Sequence, residues 1–171
     1  MFKSFVLNLS LLISTCCVTS NALSAPELTL KGLDGLQHSV SEYIGKGQWT
    51  VVNIWGPKCP PCIDEIPELQ NFHDDHKDKD AIVLGIAIDF PSFGPAKEKE
   101  VLQFSEDYFI SFPVLLGDAQ SITHLGGGRL RGTPTTLLFD PTGKLRSVQI
   151  GQITQRKLER FIEQRLTLLN R

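Results

Sequence analysis

The run Val51-Val52-Asn53-Ile54, followed at once by Trp55-Gly56-Pro57-Lys58-Cys59-Pro60-Pro61-Cys62, restricts this chain more than any other stretch. A short apolar segment rich in β-branched residues reads as a buried strand. Glycine and proline end it. Two further prolines fit the first turn of a helix, where a missing N–H is least costly and a fixed φ is already helical. The fold must therefore present two cysteines where a strand gives way to a helix. At a helix start, unpaired N–H groups and the helix dipole favour an anion. A thiol there falls from a pKa of about 8.5 into a range of about 3.5 to 7.5. Cys59 holds that position, and Lys58 adds a neighbouring positive charge that pushes the same way. Cys62, one helical turn later, is expected to be the more buried of the pair. An attacking thiolate with a resolving thiol beside it is the equipment of thiol–disulfide exchange.

The rest of the cysteine inventory supports that chemistry. Lys3, the apolar stretch Phe5 to Ile13 and the small residues around Ala22 to Ala25 have the layout of a secretory signal over residues 1–25. It is short for a membrane span. Cleavage near Ala22 to Ala25 is the leading expectation. Lipidation at Cys16, through a box-like Ile13-Ser14-Thr15-Cys16, an uncleaved anchor and a buried N-terminal helix are the alternatives. Loss of the leader removes Cys16 and Cys17 and leaves Cys59 and Cys62 as the only pair. A single pair in an oxidising compartment is not scaffolding. The remaining 146 residues suffice for one domain with its own core, residues 26–171. Their net charge of −3 gives no support for nucleic-acid binding.

Hydrophobic patterning places the elements. Leu28 to Leu30 and Leu36 to Val40 read as short strands, and Ser41 to Ile44 as a helical turn. Thr50 to Trp55 and Ala81 to Ile88 read as buried strands. Pro60 to about Lys77 has helical spacing, with Ile63, Ile66, Leu69 and Phe72 on one side. Phe90 to Pro95 reads as a loop, Ala96 to Phe109 as an amphipathic helix, Phe112 to Leu116 as a strand and Ser121 to Leu125 as one helical turn. A hairpin follows over Thr135 to Phe139 and Lys144 to Ile150, then a helix from Thr154 to Leu169. Two β-α-β passages, a hairpin and a closing helix make an α/β fold with a mixed sheet between helices.

A paired Cys-x-x-Cys is also half of a zinc site, which needs two further Cys or His ligands. Of the histidines, only His73 and His76 lie close together, toward the far end of the helix that Cys59 begins. Redox chemistry is therefore the preferred reading over zinc.

Trp55, Cys59-Pro60-Pro61-Cys62, Glu65, Pro67, Phe112-Pro113-Val114, Gly132-Thr133-Pro134-Thr135-Thr136 and Gly143 make residues 26–171 resemble a thioredoxin-fold protein. Within that fold they resemble the extracytoplasmic TlpA/ResA-type thiol–disulfide oxidoreductases, which include the CcmG/DsbE proteins of cytochrome c maturation. The stretch between Asp89 and Phe112 is similar to the strand–helix insertion of that family. The resemblance implies that Cys59 attacks, that Cys62 resolves, and that the two form the redox-active disulfide. It implies a cis Thr133–Pro134 bond packed against the cysteines, with Thr133 touching the substrate peptide; a proline opening an edge strand is the alternative. Trp55, Pro60 and Pro61 complete the implied substrate-binding set, with a plain core role open for Trp55. Glu65 is implied to tune the cysteines and move a proton, against the alternative of a surface acid like Asp64.

Three departures stand out. Asn53 occupies the place of the buried thioredoxin aspartate, which leaves Glu65 as the proton acceptor. Pro60 replaces a commoner glycine. Gly126-Gly127-Gly128 replaces a single glycine and suggests a mobile approach to Pro134. The implied partners are a disulfide-containing extracytoplasmic protein such as apocytochrome c and a membrane thiol reductant of the DsbD/CcdA type, with a membrane tether open. No cofactor is implied. The same fold also hosts Sco-like copper carriers, which would pair the cysteines with a distal His such as His124, and thiol peroxidases. Those peroxidases carry a threonine and proline ahead of their cysteine, absent before Cys59.

Overall fold

The computed structural model describes residues 26–169; the leader, with Cys16 and Cys17, lies outside them. In chain order the elements are β1 (Thr29–Gly32), β2 (Gln37–Ser39), β3 (Trp49–Trp55), α1 (Pro60–His76), β4 (Ala81–Ala87), α2 (Glu98–Asp107), β5 (Val114–Leu116), α3 (Ala119–His124), β6 (Thr135–Phe139), β7 (Leu145–Ile150) and α4 (Gln155–Leu169). Among these helices none is long and apolar enough to cross a membrane.

One seven-stranded mixed sheet runs β2-β1-β5-β4-β3-β6-β7. All seven residues of β3 are buried, as a strand covered on both faces requires. β3 pairs parallel with β4, which demands the crossover helix α1, and antiparallel with β6. Alternation then sorts the core into two layers. Val51 and Trp55 face α1 and α4, meeting Ile66, Leu69, Phe72, Leu138, Leu158 and Ile162. Val52 and Ile54 face the other way, with Leu84, Ile86, Ile122, Leu137 and Phe139. The hairpin of β1 and β2 joins the sheet through β5, to which β1 is antiparallel while β4 is parallel.

Several boundaries move inward from the sequence expectation, each for a local reason. β5 begins at Val114 rather than Phe112 because Pro113 has no N–H for a ladder; its carbonyl instead accepts from the Gly85 amide at 2.8 Å. α2 stops at Asp107, and Phe109 beyond it sits at φ +51°. The stretch between Asp89 and Phe112 carries a helix only; the strand that accompanies it is β5, downstream. The helical turn expected over Ser41 to Ile44 is a 3-10 turn over Val40–Glu42, closed by a Ser39–Glu42 capping box.

Candidate active site

The C-terminal end of β3 feeds directly into α1. A Cβ on Gly56 would meet the Ile88 carbonyl oxygen at 2.9 Å and Phe90 Cβ at 3.1 Å, so only glycine fits where the strand ends. The Cys59 amide closes a turn onto the Gly56 carbonyl at 3.1 Å. Cys59 is the N-cap residue of α1, in extended conformation, with Pro60 and Pro61 in the first turn. Its carbonyl accepts from the Cys62 and Ile63 amides at 3.0 and 3.1 Å. The two cysteines form a disulfide with their Cα atoms 5.2 Å apart.

In this disulfide state neither cysteine has exposed surface. The expected contrast, with Cys62 the more buried, is therefore not seen, because both side chains sit in the α1 layer of the core beside Trp55. Thr133 approaches from across the fold. Its hydroxyl donates to Cys59 Sγ at 3.4 Å, and the Thr133–Pro134 bond is cis. Pro134 is buried, and its carbonyl accepts from the Gly151 amide at 2.9 Å, which ties the loop to the end of β7. Pro60 is exposed and Pro61 half-buried, so both can face a partner.

Trp55 is a correction to the substrate-binding set. It is fully buried, with its ring 5.1 Å from that of Phe104 on α2, and it offers no surface to a substrate. Its apolar faces fill the core beneath the cysteines. The Lys58 ammonium also behaves differently from the sequence reading, pairing with Glu100 of α2 at 2.7 Å. Its positive charge beside Cys59 is offset by that carboxylate.

Glu65 is buried, at 2% exposure, and so is not a surface acid. Burial pushes its carboxyl up to about 7, opposed by hydrogen bonds from the Ile153 amide and the Asn53 side chain. Oε2 accepts from the Ile153 N–H at 2.9 Å, and Oε1 accepts from Asn53 Nδ2 at 2.8 Å. Asn53 Nδ2 also donates to Thr136 Oγ1 at 3.1 Å, while Asn53 Oδ1 is buried without a partner. Asn53 on β3 and Ile153 after β7 thus converge on one carboxyl three residues after Cys62, and Thr136 on β6 joins the network through Asn53. The sequence pointed to Glu65 and Asn53 in this network, and nothing in it marked Ile153.

The histidines lie elsewhere in function. His73 is buried, its Nδ1 accepting from the Val83 amide at 3.1 Å. His76 pairs with Asp80 at 2.8 Å. His124 lines a groove with Leu28, Leu30 and Pro95, and neither cysteine lines that groove. Among the described residues no cluster of three or more His, Cys, Asp or Glu side chains is arranged to hold a metal.

A family model described as the AhpC/TSA family matches residues 22–148. Thioredoxin-like protein YneN of Bacillus subtilis is 30% identical over 139 residues, covering 81% of this chain and 76% of the relative. Thiol-disulfide oxidoreductase ResA of Geobacillus kaustophilus is 28% identical over 140 residues, covering 82% and 75%. A solved DsbF homologue from Corynebacterium diphtheriae aligns with a TM-score of 0.70 at 27% identity, over 82% of this chain and 85% of that one. The disulfide at the start of α1 and the likeness to these proteins lead to one conclusion: the chain belongs to the AhpC/TSA family and is a thioredoxin-fold thiol–disulfide oxidoreductase.

Proposed function

We propose that this chain is exported by its leader and reduces disulfides in extracytoplasmic proteins, with apocytochrome c as a candidate substrate. The observation that carries the reading is the Cys59–Cys62 disulfide with the Thr133 hydroxyl against Cys59 Sγ and a buried carboxyl on the same helix.

In the reduced enzyme the Cys59 thiolate attacks one sulfur of the partner's disulfide. That S–S bond breaks, a Cys59–partner mixed disulfide forms, and the first partner thiolate leaves and takes a proton from water. Cys62 then gives its proton to the Glu65 carboxylate, and the resulting thiolate attacks Cys59 Sγ. The mixed disulfide breaks, Cys59–Cys62 forms, and the second partner thiolate leaves. Two electrons have passed to the partner, and the enzyme rests as the disulfide. A carboxyl near 7 is suited to this transfer, because it accepts and returns a proton close to neutral pH. A membrane dithiol donor of the DsbD/CcdA type then restores the pair. Thr133 and the exposed ring of Pro60 are the positions that meet the partner; Pro134 holds Thr133 in place.

The test is insulin reduction by the full chain together with its equilibrium potential. Reduction should proceed and should stop with Cys59→Ala, while Cys62→Ala should accumulate mixed disulfides that identify the substrate in cells. A potential near about −120 mV, that of a strong oxidant, would overturn the reductase assignment. Peroxide consumption without disulfide reduction would favour a peroxidase instead. Copper bound through the cysteine pair and lost with His124→Ala would favour a metal carrier.

A further inference from the structure

The three glycines after α3 do not give a mobile approach to Pro134. Gly126 and Gly128 take φ of +80° and +78°, a left-handed conformation that favours glycine. Gly127 packs so closely that a Cβ would meet Ile122 Cγ1 at 2.6 Å and Leu137 Cδ2 at 2.8 Å. The Gly127 amide donates to the Ile122 carbonyl at 2.9 Å, and the Thr123 hydroxyl donates to the Gly128 carbonyl at 3.0 Å. The loop is held, and it delivers Arg129-Leu130-Arg131 in a fixed place. Leu130 is buried and both arginines are exposed.

Between this loop and β7 lies a groove of about 310 Å³. Ile122 and Thr135 form its floor, Val148 and Ile150 line it from β7 at 40% and 49% exposure, and both arginines border it. No carboxylate lines it. Among the described residues neither arginine has an ion-pair partner, whereas Arg146 is held by Asp140 and Lys58 by Glu100. An apolar groove with two uncommitted guanidiniums fits a carboxylate-bearing chain with an apolar neighbour. The groove is linked to the redox site along the chain. Its lining residue Thr135 is two positions from Thr133, whose hydroxyl touches Cys59 Sγ.

We propose, resting on the disulfide-reductase reading above, that this groove selects partner segments carrying Asp or Glu within a few residues of the target cysteine. Arg129 and Arg131 hold the carboxylate, and Val148 and Ile150 take an adjacent apolar side chain. They are specificity residues and take no part in the electron transfer.

The test uses the full chain with two disulfide-linked peptides that differ only in flanking Glu or Lys, and hydroxyethyl disulfide as a substrate without flanks. The reduced wild type should favour the Glu peptide. Arg129→Glu/Arg131→Glu should raise KM for that peptide about tenfold, lower it for the Lys peptide, and leave kcat and hydroxyethyl disulfide reduction unchanged. Arg129→Lys/Arg131→Lys should retain most of the preference, and added salt should weaken it. Equal kcat/KM for the two peptides in the wild type, or one common loss on all three substrates in the charge-reversed protein, overturns the proposal. Should hydroxyethyl disulfide itself resist reduction, the reductase reading falls, and peptide anisotropy with the disulfide form decides the groove. Binding that favours Glu and is lost on charge reversal supports it; equal binding overturns it. β7 ends the sheet, so charge reversal that alters sedimentation while peptide preference stands unchanged assigns the groove to self-association and also overturns it.

Discussion

Asn53 Nδ2 on β3 lies 2.8 Å from Glu65 Oε1 on α1, and this contact joins the central strand to the helix that carries both cysteines. The other Glu65 oxygen accepts from the Ile153 amide. Each carboxylate oxygen thus has one donor, yet burial prevails and the carboxyl rises to about 7. An aspartate at position 53 would face Glu65 with a second negative charge. Asparagine meets it with a donor.

Glu65→Gln tests the proton transfer. It removes the acceptor for the Cys62 proton while keeping a side chain of similar shape. Resolution of a Cys59 mixed disulfide should slow by about 10²-fold, within the range of general acid–base effects. Its rise around pH 7 should disappear as well. Stopped-flow release of a mixed-disulfide peptide measures both, and an unchanged rate and profile would remove Glu65 from the mechanism.

The same carboxyl makes stability depend on pH. Its folded value, about 7, lies above its ordinary 4.5, so between those values the folded protein holds a proton that the unfolded chain has lost. The unfolded state then binds fewer protons, and stability falls as pH rises through that window, by up to about 3 kcal/mol. Below pH 4.5 this contribution is fully present. Glu65→Gln should flatten the slope between pH 4.5 and 7 and stabilise the protein at pH 8, as read by urea denaturation.

Asn53→Asp should do the reverse. Two facing carboxyls cannot both ionise cheaply, so the pair would hold a proton to higher pH than Glu65 alone. Stability at pH 8 should drop by about 2 kcal/mol relative to the parent and recover toward pH 5. Urea midpoints at the two pH values settle the sign.

Order and type of the elements were legible because β3 and β4 are continuous apolar runs and α1 repeats its apolar residues at helical intervals. The cysteine pair was legible because two cysteines at that spacing where a strand meets a helix have few physical uses, whereas the cis proline was legible only through the family resemblance. Contacts between distant segments were not. Ile153 reaches Glu65 across 88 positions, and Thr136 reaches Asn53 across 83. Neither distance leaves a periodic trace. Trp55 was misjudged because an aromatic beside a reactive pair has the same pattern whether it covers the pair or supports it from below. The glycines after α3 were misjudged because composition cannot separate a loose loop from one forced close to Ile122 and Leu137.

Lys58 and Glu100 give a prediction about reactivity. Their pair is exposed, at 55% and 36%, and is screened by solvent. Glu100→Gln leaves Lys58 uncompensated next to Cys59 in sequence, so alkylation of the reduced protein at Cys59 should quicken at low salt. The rate of iodoacetamide alkylation against pH reads this directly. It also shows whether Cys59, covered in the disulfide, gains access on reduction. A change in rate equal at low and high salt would indicate a cause other than the lost charge.

His73 pulls stability in the opposite direction from Glu65. Burial depresses its imidazole, with Lys77 acting the same way and Asp74 and Asp78 opposing. Its Nδ1 must stay unprotonated to accept the Val83 amide. As pH falls through about 6.5 the unfolded chain takes up a proton that the folded protein resists, so stability declines on the acid side. Below about pH 6.5 the two buried groups therefore oppose each other, and the parent should show a shallower dependence there than Glu65 alone would give. His73→Leu leaves the Val83 N–H without its acceptor and should cost about 1–3 kcal/mol at pH 8. It also removes the acid-side loss, so the variant should lose stability steadily from pH 5 to 7, with the Glu65 slope now unopposed. A double variant, His73→Leu with Glu65→Gln, should lack both slopes and keep only the weak dependence of His38 beside Asp34 and Glu42. If the single His73 variant keeps the parent's shallow profile, His73 is not the opposing group.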